Sequence, residues 1–561
     1  MHKVMKDNAI ASLSINIIIL LIYFLFFNIV LETNDEFAFS AFLSGAYGGV
    51  SSHLVFSNVF LGGLLEILYS LNLGRNWYSI LQIIFNFLSL NIICFVLLMK
   101  TEVLKKRMVR YAIAFSVLLV IGFQHFYLMQ WTKSAYLIIL AGLLLFLYAL
   151  HEHKGNIFIL IFSGMLILIG TFIRFDTLYV VLAFFFVRCI YDMVLEQKFC
   201  LSKQFFCLNA KYIASFLALL CILFGFKIAD GLVYKYGTAN EEWKLYREYN
   251  VLRSELLDYG IPSYEEHIKE YEKIGLTETD IQMLNNWTFS DPEVFTTETF
   301  EKIISLKEKR NLNGDIVYSV IENIMCTMKS PIGIITVIIT FLYLLNGKKK
   351  QCILFTLYTF MMFLLYGYLT YMDRVIFRCE YGIWLTLLTL LLYDFSGSIS
   401  KYKRIITKVT GLIMALIILL FSVINYHSNY QTYTRPLEAR YRELFNYTSL
   451  RKENLYMRDV STLSNWHLGF SPLEALPYGY LSNIYLLGGW EIRNPITDVE
   501  KEYGLTNPWR ECVDSDNIFI IDNVGIELKL KYIRQRYCKT AEAIQVDEVA
   551  GFKIYKIVSC I

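Results

Sequence analysis

Apolar residues in this chain gather into long runs, not into the short alternations or 3.6-residue stripes of a soluble core. Eleven runs read as spans, several of them shorter than the roughly 20 residues that a helix needs to cross a bilayer. They cover 9–30, 78–98, 111–129, 135–150, 157–173, 178–194, 212–231, 332–345, 353–371, 381–392 and 409–424. The first is too long for a signal-peptide core and no small-residue cleavage site follows it. It reads as a retained helix behind His2, Lys3 and Lys6, which places the N-terminus in the cytoplasm.

Basic clusters fix the orientation of the remaining runs. They lie at Lys105-Lys106-Arg107-Arg110, His151-His153-Lys154, Lys198-Lys203-Lys211, Lys348-Lys349-Lys350 and Lys401-Lys403-Arg404. Eleven spans with the N-terminus inside bring every cluster to the cytoplasmic side, provided that 37–71 does not cross. That segment, punctuated by Gly45, Gly48, Gly49, Gly62 and Gly63, is expected to form helices in or on the outer interface. The predicted organisation is an N-terminal transmembrane bundle over 1–232 with a first outer loop at 31–77. A large external helical loop follows over 233–330, then transmembrane helices over 331–426 and an external soluble domain over 427–561. The loop carries helical patterns in EEWKLYREYNVLRSELL and TTETFEKIISLKEKR. The soluble domain has strand-like runs in NLYMRDV, DNIFIID and GFKIYKI, which suit a small α/β or α+β fold.

Composition agrees with this reading. Of 561 residues, 56% are hydrophobic, 16% aromatic and only 18% charged, against roughly 25% charged in soluble domains. An ordinary soluble enzyme, a disordered chain and a nucleic-acid binder are excluded. A net charge of +3 implies no polyanionic partner. The 11 cysteines show no CxxC and no regular framework, so neither a zinc site nor a disulfide scaffold is indicated; Cys512, Cys538 and Cys560 leave room for one bridge.

The ionisable residues of interest fall at span ends on the outer side, where burying charge is costly and function is the default hypothesis. Glu32-Thr33-Asn34-Asp35-Glu36 follows the first span. Arg174 and Asp176 share a short hairpin, and Asp373, Arg374, Arg378 and Glu380 form a third group. His53, Arg75, His125 and Lys133 lie on the same side. Carboxylates there can take a proton from an acceptor hydroxyl, and arginines can clamp a phosphate leaving group. Each has a plainer reading. Asp35 or Glu36 suits a helix N-terminus, and Arg174 with Asp176 suits a structural pair. Arg374 and Arg378, four apart, fit one helical face or snorkelling to headgroups. Lys227 and Asp230 read as a local pair. His53 has no partner at metal spacing.

The arrangement resembles the GT-C superfamily of integral-membrane glycosyltransferases, in particular bacterial members of surface-polysaccharide loci. The resemblance rests on NDEFAFSAFLSGAYGGVSSHLVFSNVFLGGLLEILYSLNLGRNWY, on MQWTKSAYLIILAG, on YNVLRSELLDYG with IGLTETDIQML, and on LLGGWEIRNP followed by YGL. It implies a polyprenyl-phosphate sugar donor, a glycan acceptor hydroxyl and an inverting transfer at the outer face of a bacterial plasma membrane. Asp35 would be the catalytic carboxylate with Glu36 as the second. Arg174, Arg374 and Arg378 would hold the donor phosphate; His53, Asp176 and Lys133 would be reserve substrate contacts. Trp77, Trp131 and Trp490 could stack on sugars. No metal or other cofactor is expected. The rival readings are a polymerase of lipid-linked repeat units, a flippase or transporter of lipid-linked sugars, and an assembly protein.

Overall fold

The computed structural model describes residues 2–71, 73–100, 107–152, 156–192, 203–236, 241–307, 314–345, 349–395, 424, 427–497 and 499–560. The predicted span 409–424 falls almost wholly outside them, as do Lys105, Lys106, His153, Lys154, Lys198, Lys348 and the cluster at 401–404.

The first bundle contains α1 (His2–Phe26), α2 (Asp35–Ser44), α3 (Val59–Tyr69), α4 (Trp77–Lys100) and α5 (Arg107–Gly122), which widens into a π turn over Phe123–Tyr127. It continues with α6 (Trp131–Glu152), α7 (Ile157–Ile173), α8 (Thr177–Tyr191) and α9 (Lys203–Tyr236). Among the described residues six helices are long and apolar enough to cross a membrane, and a bent pair would make a seventh. α6 is the hub, with its whole apolar window buried, whereas α9 turns Leu217, Ile222, Phe224, Ile228 and Leu232 outward. Such an outward apolar face is what lipid contact needs. Gly142 lets α6 and α7 close together: a Cβ there would stand 2.9 Å from the Ser163 carbonyl oxygen.

Segment 37–71 is broken into α2 and α3. Eleven residues make α3 about 16 Å long, roughly half of a bilayer core. Asn58 caps it, accepting the Phe60 N–H at 3.0 Å. A two-residue parallel pair, β1 (Val30–Leu31) with β2 (Leu128–Met129), ties the chain after α1 to the α5–α6 turn.

The next segment folds into α10 (Glu241–Leu257), α11 (Ile268–Lys273), α12 (Glu278–Asn285) and α13 (Thr297–Ser305). Both sequence-predicted helices fall within it. Residues 314–328 form an apolar helix, α14 (Gly314–Met328), and α15 (Pro331–Leu345) leaves it at 93°. Pro331 breaks the run because it cannot continue the hydrogen-bond ladder of α14 and instead starts a new helix. α16 (Lys349–Tyr371) and α17 (Phe377–Tyr393) follow.

The C-terminal region is a mixed α/β unit. Its sheet runs β4 (Ile484–Leu486), β3 (Leu455–Arg458), β5 (Ile518–Ile521), β7 (Phe552–Ser559), β6 (Ala541–Val549). The first three are parallel and the last two antiparallel. Helices α18 (Arg435–Ser449), α19 (Glu500–Tyr503), α20 (Pro508–Glu511) and α21 (Ile526–Arg536) accompany it. Between β3, β5 and α21, Lys529 Nζ lies 2.8 Å from Asp459 Oδ1 and 2.6 Å from Asp522 Oδ2. Asp291, before α13, accepts the Tyr532 hydroxyl at 2.6 Å and that of Tyr537 at 2.5 Å, latching the α10–α13 segment to this unit. Cys512, Cys538 and Cys560 are free thiols.

Candidate functional site

A cavity of about 580 Å³ lies where one end of the bundle meets the α/β unit. The N-terminal ends of α2, α6, α8 and α17 reach its wall through Asp35, Trp131, Thr177 and Arg378. Helix N-termini present unpaired N–H groups and partial positive charge, so this wall favours an anion. The α/β unit closes the other side with Arg458, the last residue of β3, and with Gly488 to Glu491 just after β4. Ligands commonly sit at the carboxyl ends of parallel strands. The loop after β4 passes so close to the α12–α13 connection that a Cβ on Gly488 would lie 1.7 Å from the Trp287 carbonyl oxygen; only glycine fits.

Asp35 opens α2 but does not cap it. Its Oδ1 accepts the Trp490 indole N–H at 2.9 Å and its carboxyl lines the cavity. Burial pushes this carboxyl above its usual range, and the Trp490 bond, Arg378, Arg174 and Arg253 pull it partly back. The neighbouring Glu36 points elsewhere. It is fully buried, accepts the Trp131 backbone N–H at 2.7 Å and the Thr33 hydroxyl at 2.6 Å, and does not line the cavity. It thus satisfies an otherwise orphaned donor at the start of α6. Burial, with Asp35 beside it, pushes Glu36 up to about 8. The expected pair of catalytic carboxylates is therefore one cavity carboxylate and one structural anchor.

Arg174, Arg374, Arg378 and Asp176 all line the same cavity. Arg174 Nε lies 3.4 Å from Asp176 Oδ2, and its guanidinium sits 4.6 Å over the Trp131 ring. Arg374 does not share a helical face with Arg378, because α17 begins only at Phe377. Arg374 instead reaches back to α10, with Nη2 3.2 Å from Asp258 Oδ2. Arg378, in the first turn of α17, makes no hydrogen bond or ion pair among the described residues. A cation at that helix end opposes the dipole, so the position is unfavourable until an anion arrives.

Lys133 and His53 lie outside the cavity. Lys133 is fully buried, with Nζ 2.7 Å from Glu32 Oε2 and bonded to Gln124. This buried pair pins the segment ahead of Asp35 against α6. His53 stacks on Trp243 at 4.3 Å, and burial pushes it down to about 4, so it is a neutral packing residue. Lys227 and Asp230 do not form the expected local pair. Lys227 Nζ lies 4.0 Å from Asp176, and Asp230 accepts the Val59 N–H at 2.8 Å. Of the three tryptophans, Trp131 and Trp490 line the cavity and Trp77 does not.

The α10–α13 segment and the α/β unit add residues that sequence reasoning missed. Arg253 of α10 packs inward, with Nε donating to Asn250 Oδ1 at 3.0 Å and Nη1 3.7 Å from Asp258. Asp258 thus links Arg253 and Arg374. Glu491 lies beside Arg458 at 3.7 Å, and burial pushes it up to about 7, against Arg458 and with the help of Asp35. A signal existed for Arg253: with Trp243, Tyr246, Asn250 and Leu256 it marks one helical face, an arginine on an otherwise inward-facing stripe. Five arginines and four carboxylates line the cavity, and burial disfavours the charged form of two of those carboxylates. The site is electropositive. Among the described residues no three His, Cys, Asp or Glu side chains gather to hold a metal ion. No protein-family model matches the chain, and neither a curated protein nor a solved structure is significantly similar to it.

Proposed function

We propose that the chain is a membrane glycosyltransferase of the GT-C type. It transfers a sugar from a polyprenyl-phosphate donor to a hydroxyl of a cell-surface or lipid-linked glycan, with inversion. The observation that carries the reading is a half-buried carboxylate, Asp35, facing a cavity that also holds Arg174, Arg374 and Arg378, the last without a hydrogen bond or ion pair among the described residues. The acceptor oxygen attacks the anomeric carbon while Asp35 takes its proton. The bond from that carbon to the phosphate oxygen breaks, and polyprenyl phosphate departs with the electron pair towards Arg378, Arg174 and the α17 N-terminus. An elevated carboxyl is the stronger base once ionised, which suits the task. Electropositive surroundings favour the phosphate over a neutral cargo.

In this reading eleven spans thread a bacterial plasma membrane with the N-terminus cytoplasmic, and the cavity opens on the outer side. The test is a transfer assay with the full chain in lipid vesicles, using a radiolabelled polyprenyl-phosphate hexose and oligosaccharide acceptors. Label moves to the acceptor with wild type and not with Asp35→Asn. Normal transfer by Asp35→Asn overturns the reading. For topology, a cysteine placed at Asp176, 65% exposed, is labelled from outside intact cells by an impermeant thiol reagent; labelling only after lysis would invert the threading.

A further inference from the structure

A second cavity, of about 760 Å³, opens beside the first and shares Phe56, Ser254, Tyr259 and Met372 with it. Both volumes fall within the 300–1,000 Å³ or so typical of small-ligand sites. Its own walls come from the ends of α9 and α16 and from one side of α10, where Tyr234, Tyr371, Arg247 and Val251 face it.

We propose that this second cavity holds the non-reacting units of an extended, uncharged saccharide acceptor whose reacting hydroxyl lies at Asp35. The inference rests on the transfer reading above and deepens it. Three observations carry it. The first is chemical: the wall is mainly apolar, with four tyrosine rings among the fourteen described lining residues and polar side chains such as Asn250, Ser254 and Arg247 between them. Rings that offer an apolar face beside a polar edge suit a sugar, whose faces are C–H and whose rim is hydroxyl. The second is electrostatic: Arg247 and Lys307 are balanced by Glu255 and Asp373, in contrast to the cationic excess next door. A neutral chain fits this cavity and a second phosphate does not.

The third observation is the rigid connection between the two spaces. The Tyr246 hydroxyl donates to the Trp490 carbonyl at 2.8 Å, and the Trp490 indole holds Asp35. The Tyr234 hydroxyl accepts the Val55 N–H at 3.0 Å, next to the shared Phe56. Rings fixed this way are pre-organised, so a bound saccharide loses little freedom in the wall that meets it. A saccharide spanning both cavities would therefore be registered against the catalytic carboxylate by the same loop.

The experiment measures binding of a neutral oligosaccharide ladder, two to eight units long, prepared by partial acid hydrolysis of the producing cell's surface polysaccharide. The full chain is held in lipid nanodiscs, and tryptophan fluorescence reports the dissociation constant. Wild type should bind five units about tenfold more tightly than two. Val251→Trp, which fills the cavity mouth from an exposed position, and Arg247→Ala should each cut that ratio to about twofold or less. A length-independent constant in wild type, or a ratio unchanged in both variants, overturns the proposal. So does a Val251→Trp variant that loses affinity for polyprenyl phosphate while keeping its preference for long saccharides, since the cavity would then belong to the lipid. The two readings fail separately. Length-dependent binding without any sugar transfer sinks the transfer reading and leaves the saccharide site standing. Transfer with equal kcat/KM for short and long acceptors does the reverse.

Discussion

Two ionic clusters sit close together in this molecule, one buried and one facing the cavity, and they are built on opposite plans. In the α/β unit, Lys529 is shared by Asp459 and Asp522 at 2.8 and 2.6 Å. Backbone donors complete the set: Val524 and Gly525 give their N–H groups to Asp522 at 2.7 Å each, and Thr462 gives its own to Asp459 at 2.6 Å. Each of these charges has close partners. In the cavity, Asp35 has one indole N–H and Arg378 has no bond among the described residues. Satisfied buried networks rigidify a fold, whereas perturbed, under-paired groups in a cleft mark chemistry. The lesson is that the state of pairing, not burial or charge alone, separates scaffold from site.

The sharpest way to break that comparison is to remove one member from each cluster. Lys529→Met leaves two carboxylates without their cation and should cost about 3–5 kcal/mol, read as a lower thermal midpoint. Asp35→Asn should lower transfer by about 10²–10⁴-fold with the midpoint unchanged or raised. Equal unfolding in both variants would erase the distinction. Next, Arg378→Gln should reduce transfer by about 10–100-fold. Because Arg378 pulls the Asp35 carboxyl down, its loss should also shift the acid limb of the pH–rate profile to higher pH. An unmoved limb would show that the two do not meet.

Glu36 sharpens the contrast from inside the cavity's own loop. Its folded value of about 8 stands above the ordinary 4.5, so the folded state binds the proton more tightly. The stabilisation is complete below about pH 4.5 and is lost as pH rises through about 8, a change of a few kcal/mol. Melting curves should therefore fall from pH 5 to 8.5 in wild type and fall less steeply in Glu36→Gln, which keeps an acceptor for the Trp131 N–H while Glu491 and Asp35 still titrate. The smallest effect on transfer belongs to Trp490→Phe. Losing the indole donor should slow transfer several-fold, about the worth of one hydrogen bond, yet raise the acid limb at least as far as Arg378→Gln does, because the Trp490 bond is the stronger of the two pulls on the Asp35 carboxyl.

The membrane half of this cavity was legible in the chain because hydropathy and basic clusters bring distant span ends to one side. Asp35, Arg174, Asp176, Arg374 and Arg378 sit on three loops that this logic unites. The pattern does not say which way a side chain turns. Glu36 and Lys133 looked like site residues yet point into the packing, because a period of 3.6 fixes a face and not its partner. Arg374 and Arg378 looked like helical neighbours because nothing in MDRVIFRC announces that the helix starts at Phe377. The soluble half was nearly silent. Glu491 and Arg458 acquire meaning only when a strand end of the α/β unit is carried to the bundle, a tertiary event with no local signature. The strands β3, β5 and β7 matched their predicted runs, while the short β4 had too few residues to stand out.

The close passage of Gly488 beneath the Trp287 carbonyl bears on how the protein is made. The cavity needs Asp35 from the start of the chain, Arg253 from the middle, and a loop that enters its place only once the sheet around β3 and β4 exists. That sheet contains β7, formed by residues beyond 551. A nascent chain, with most helices already inserted, therefore carries a basic, open mouth without its Trp490 clamp on Asp35. The cavity is therefore completed only after the α/β unit has been synthesised, and a chain truncated within that unit would lack a fixed Trp490 clamp on Asp35.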